Sequence, residues 1–115
     1  MNNSDITLLV YGIADLTEMT KEAANHWGNR TPMMVIEEMA ELTKAISKFE
    51  RRHDKESFNN MKEEIRDVLI SIGMLSNHYY DVFGEIERRE SSDGAIWADE
   101  IAEMIVDKLS EKKDK

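Results

Sequence analysis

The chain has 115 residues, 41% of them hydrophobic and 34% charged, with a formal net charge of −9 and no cysteine. That length gives one domain with a real core and not two. The acidic balance excludes a nucleic-acid polymer as the main partner, because backbone phosphates are held by basic surfaces. A nucleotide stays open, since a metal ion can bridge carboxylates to phosphates.

Without cysteine there is neither a disulfide framework nor a thiolate zinc site, and a reducing compartment is compatible with that. No apolar run approaches about 18 residues and no charged-then-apolar leader opens the chain, so no membrane partner is expected and the protein reads as soluble and cytoplasmic. One proline, five glycines and an abundance of helix-forming residues predict an all-α fold.

In chain order, Ser4 or Asp5 offers a cap, and Ile6, Leu9, Ile13, Leu16, Ala23 and Trp27 then recur at helical intervals. This first helix has a candidate break at Gly12 and ends at Gly28-Asn29-Arg30. Thr31-Pro32 reads as an N-cap followed by proline at the first helical position. The second helix spans Pro32 to Arg52 with an apolar stripe of Val35, Met39, Leu42, Ile46 and Phe49. His53 to Ser57 is the expected turn. The third helix runs from Phe58 to Phe83, and its centre from Val68 to Leu75 is apolar almost all round, so it should be the most buried element. Gly84 is its expected end, with a turn or two of extension toward Glu90 left open. Ser91-Ser92-Asp93-Gly94 is the clearest linker, followed by a C-terminal helix over about 93–111 in which Trp97, Ile101, Ile105 and Leu109 repeat every four residues. Four antiparallel helices forming one bundle over 1–115 are the simplest architecture.

Two acidic pairs carry the chemistry. Glu38 and Glu41 lie three apart in the second helix, with Glu37 beside them, and Glu64 and Asp67 lie three apart in the third. Residues at that offset share a helix face, about 5–6 Å apart at Cβ. The 22 residues between Glu41 and Glu64 are enough to finish one helix, turn and bring the second pair back beside the first. Four converging carboxylates repel unless a cation sits among them. Magnesium suits such a set, because it takes oxygen ligands and is commonly shared between carboxylates and phosphates. Taken singly, each pair is what a solvated helix face carries, and the specificity lies in the combination.

Glu37-Glu38-x-x-Glu41, a gap, then Glu64-x-x-Asp67, together with the runs Met34 to Ile46 and Glu63 to Ile70, resembles the MazG-like all-α nucleoside triphosphate pyrophosphohydrolases, in particular their short phage and Gram-positive type. The likeness covers about residues 27–80, within a motif core of 27–83. It implies a four-helix antiparallel domain that hydrolyses a nucleoside triphosphate between its α and β phosphates, releasing a monophosphate and pyrophosphate, in nucleotide-pool housekeeping. Carried over by position, Glu38, Glu41, Glu64 and Asp67 hold Mg2+, for which Mn2+ can substitute. One of Glu38 and Glu41, with Glu41 preferred, also activates the attacking water, and Glu37 supports them. The resemblance further implies a homodimer, or a homotetramer of two dimers.

Outside the carboxylates, Lys44 and Lys48 follow Glu41 by one and two turns and can neutralise phosphate charge, against the plain reading of solvated lysines. Trp27 offers a ring to stack on a base, against ordinary packing. In the resembling proteins a lysine of the last helix approaches the phosphates. Lys108 is the nearest candidate, although Leu109-Ser110 stands where Asn and Arg often follow. His26, His53 and His78 have no metal-ligand spacing. Two other readings stay open: a non-catalytic acidic helical interaction module, and a pyrophosphohydrolase acting on phosphoribosyl-ATP or an alarmone.

Overall fold

The computed structural model describes residues 3–87 and 94–113, with side chains described over 3–79 and 98–112. All regular structure among these residues is helical. The elements are α1 (Asn3–Met19), α2 (Lys21–Trp27), a 3-10 turn (Gly28–Arg30), α3 (Thr31–Arg52), α4 (Lys55–Glu87) and α5 (Gly94–Lys113). This is the expected all-α class.

The first predicted helix is interrupted at Thr20 rather than at Gly12. The hydroxyl of Thr20 donates back to the Leu16 carbonyl at 2.8 Å, a local bond that competes with a regular helix ladder. The Thr17 carbonyl is meanwhile taken by Asn77 Nδ2 of α4 at 2.7 Å, so a tertiary bond falls where the helix steps. Gly28 then ends α2 at φ 52°, ψ −128°, a conformation open to glycine, and its N–H donates to the Ala24 carbonyl. The expected cap at Thr31 does not form. Thr31 already has helical angles, which a capping residue lacks, and its buried Oγ1 has no hydrogen-bond partner.

The connection from α3 to α4 is shorter than the predicted turn, only His53 and Asp54. His53 closes α3 in the left-handed region (φ 50°) and packs tilted against Phe49, with ring centroids 5.2 Å apart. Asp54 opens α4: its Oδ1 accepts from the Ser57 N–H at 2.8 Å and the Ser57 hydroxyl at 2.6 Å, as an N-cap does. So tight a turn forces α3 and α4 antiparallel. The α4 helix takes the extension past Gly84 and reaches Glu87. The expected linker at Ser91-Ser92-Asp93, and the side chains of Tyr80 and Trp97, lie outside the described residues.

In the seam between α3 and α4, Thr31, Val35, Glu38, Leu42, Ala45 and Phe49 alternate at spacings of four and three. Ser57, Met61, Glu64, Val68 and Ser71 do the same on α4; all are buried or half-buried. That alternation keeps one face of each helix on its partner. On the other side α1 and α2 pack against α4, and α5 packs along α1, bringing in the fully buried Ala98 and Ala102. At Gly73 the approach of α1 to α4 is so close that a Cβ would stand 2.6 Å from Thr20 Oγ1 and 3.1 Å from Leu16 Cγ.

The α4 centre departs from expectation. Val68 and Met74 are buried, but Leu69, Ile70 and Ile72 are 42–51% exposed. On α3, Met39 and Ile46 of the predicted stripe are likewise exposed, and Ala45 takes the buried place. Among the described residues, one side of the hairpin therefore has no covering layer. A radius of gyration of 16.3 Å, against about 13 Å for a compact chain of this length, agrees with that.

Candidate metal centre

Two helix seams bring the acidic pairs together. Glu38 occupies a seam position of α3 between Val35 and Leu42, where an apolar residue would pack best. Glu64 is a seam residue of α4, and Asp67 sits beside the next one, Val68. As a result Glu38, Glu64 and Asp67, all half-buried, each offer a carboxylate oxygen within 4.8 Å of the other two. Three ligands around one magnesium, at about 2.1 Å each, stand roughly 3–4 Å apart, so small side-chain rotations close the set on such an ion. The donors are all hard oxygens, and their chemistry fits a divalent cation of this kind.

The electrostatics carry the same message. The Glu38 carboxyl is raised above its ordinary range, first by burial and then by the charges of Asp67, Glu64, Glu41 and Glu37 in that order. The other four motif carboxylates thus all act on Glu38, though only two of them converge with it. Glu41 is exposed and ion-paired with Lys44 at 3.6 Å, one turn along the same helix. Glu37 is exposed beside Glu38. Asp67 Oδ1 accepts from Arg66 Nε at 3.0 Å and is also 3.0 Å from Arg66 Nη2.

The remaining candidates fall elsewhere. Trp27 is partly exposed at the end of α2, with the Arg30 guanidinium 4.6 Å over its ring, so one face is already covered. Arg30 also donates to the Trp27 and His26 carbonyls, both at 3.3 Å, and so closes the end of α2. Lys108 is bonded to Glu111 at 3.4 Å on α5, whose main packing partner is α1. Asn77, further along α4 from Asp67, is part of the α1–α4 junction, donating to Thr17, Thr20 and Gly73. Arg66 was the residue that sequence reasoning passed over. Its signal was simple adjacency, a guanidinium next to an acid of the motif.

The fold and this cluster define a class: a helical protein in which two antiparallel helices bring carboxylates close enough together that they could hold a divalent cation. The MazG nucleotide pyrophosphohydrolase domain matches residues 29–115, and the chain belongs to that family. The match continues through α5, beyond the stretch of likeness visible in the motifs. The family consists of hydrolases acting on phosphoanhydrides and is generally divalent-metal dependent. Comparison with curated proteins and with solved structures found no significant match. No described helix is long and apolar enough to cross a membrane.

Proposed function

We propose that this chain is a single-domain Mg2+-dependent nucleoside triphosphate pyrophosphohydrolase that cleaves the α–β phosphoanhydride bond and serves nucleotide-pool housekeeping. The observation that carries the reading is the convergence of Glu38, Glu64 and Asp67 from two helices of a MazG domain. Glu38, Glu64 and Asp67 hold the ion, and Glu41 completes the set by turning from Lys44. An exposed ion pair of that kind is worth about 1 kcal/mol or less, so the exchange is easy. A divalent ion held by these carboxylates would supply polarisation of a phosphoryl oxygen and offset the charge that develops on the phosphates. Glu41 accepts a proton as the water oxygen bonds to one of the two bridged phosphorus atoms, the bond from that phosphorus to the bridging oxygen breaks, and the phosphate chain separates into monophosphate and pyrophosphate. Lys44, released by Glu41, stands one turn away to meet phosphate charge.

The active assembly in this reading is a homodimer or a pair of dimers. Ile36, Met39 and Ile46 each follow an α3 seam residue by one position, and Ile65, Leu69 and Ile72 do so on α4. Because the helices run in opposite directions, a step of one residue turns both rows to the same side. These six exposed side chains therefore form one apolar face that a second copy covers. Leu69→Glu should shift the mass measured by light scattering toward the monomer.

The function is tested by pyrophosphate release from a panel of nucleoside triphosphates with Mg2+ or Mn2+. Wild type should release it, and Asp67→Asn should not. A folded wild type inert on every nucleotide, with a melting temperature indifferent to the metal, overturns the reading in favour of the interaction module.

A further inference from the structure

Arg66 has a choice of acids. Glu63 lies three residues back, the spacing at which helix side chains meet, whereas Asp67 is the next residue and points about 100° round the helix. The guanidinium nevertheless curls to Asp67 and places two nitrogens, Nε and Nη2, 3.0 Å from the same oxygen. Lys44 is held by Glu41, and Lys62 lies 5.2 Å over the Phe58 ring. Among the described residues, Arg66 is thus the cation recorded against a member of the converging trio. The guanidinium sits against the converging carboxylates rather than against Glu63.

We propose that Arg66 is the built-in counter-cation of the metal-free site and that metal loading is an exchange: the divalent ion takes Asp67 and the guanidinium is displaced to solvent. The geometry makes the two compete. The oxygen that Arg66 grips belongs to one of the three carboxylates a metal needs, and a second positive charge at 3.0 Å opposes the entry of another. Arg66 is 64% exposed, so the displaced side chain has water to move into. This rests on the metal-dependent reading above.

The test is the affinity of the full chain for Mn2+ alone, without nucleotide, followed by electron paramagnetic resonance and by calorimetry. Arg66→Gln should bind about two- to fivefold more tightly than wild type, the range that an exposed ion pair can oppose. Arg66→Lys, which keeps the charge but loses the forked grip, should fall between them. The gap should narrow as salt rises, because screening weakens the pair first. Equal or weaker binding by Arg66→Gln, with wild type binding normally, overturns the exchange and makes Arg66 an orienting residue for Asp67. If wild type and Asp67→Asn alike bind no Mn2+, the metal-dependent function itself fails, and this proposal with it.

Discussion

The α4 helix carries polar groups into two of its contacts, and their treatment is opposite. At the junction with α1, Asn77 donates to Thr17, Thr20 and Gly73, the Thr20 hydroxyl donates to Leu16, and Gly73 lets the two backbones close. Every group named there is neutral and bonded. At the junction with α3, Glu38, Glu64 and Asp67 point charge at charge, with Arg66 reaching one of them. A polar group that finds its complement inside the chain fixes geometry. Like charges that find none remain a cost to the fold, and such a cost is sustained where a ligand removes it.

Glu38→Gln is the strongest way to break that contrast. Pyrophosphate release should drop by about 100-fold or more, the scale on which one transition-state contact acts. The metal-free melting temperature should meanwhile rise by about 2 °C, because burial and four neighbouring carboxylates already disfavour this charge. A loss of both activity and metal-free stability would assign Glu38 to the packed core.

Gly73→Ala attacks the satisfied junction. The new methyl meets Thr20 Oγ1 and Cγ2 at 2.6 and 3.0 Å, and that short, buried side chain has its hydroxyl held by the Leu16 carbonyl, so it has little room to yield. Overpacking should outweigh the helix propensity gained and cost about 1–2 kcal/mol, read as a drop of roughly 5–10 °C in melting temperature. Metal affinity should hardly change. Melting at the wild-type temperature would show that the α1–α4 contact is looser than its distances imply.

Asp54 is a charge that does find its complement. The Ser57 hydroxyl, then the Ser57 N–H, hold its carboxyl below the ordinary 3.8. The folded state therefore binds its proton less readily than the unfolded chain. The resulting stability is present above about pH 4 and is lost as pH falls through the folded value. Asp54→Asn keeps a capping side chain but should flatten this part of the acid limb in melts from pH 5 to 2, whereas Asp54→Ala should lower the midpoint by a few degrees at neutral pH as well. An unchanged acid limb in both variants would remove Asp54 from the account.

The smallest effect belongs to Thr31→Val. This is a buried neutral group without a partner, so removing its hydroxyl at nearly constant shape should leave stability within about 0.5 kcal/mol of wild type or slightly above it. A clear loss in a denaturant titration would reveal a bond that Thr31 makes in solution.

Local chemistry was legible in the sequence because it is written in neighbouring residues. The helices at α3, α4 and α5, the stop at Gly28 and the two acidic pairs follow from periodicity, conformational preference and spacing. So does the idea that a 22-residue gap folds the pairs together. Three matters were decided only in tertiary structure. The break at Thr20 coincides with Asn77, 57 residues away, taking over a carbonyl beside it. The apolar centre of α4 is half-exposed because burial depends on which layers the chain supplies, and the described residues supply none on that side. The carboxylates also sort themselves: Glu38, Glu64 and Asp67 converge because they lie in or beside the seam, while Glu41, three residues on, turns to Lys44. A spacing of three says which residues share a face, but only the packed pair of helices determines which member of that face meets the other helix.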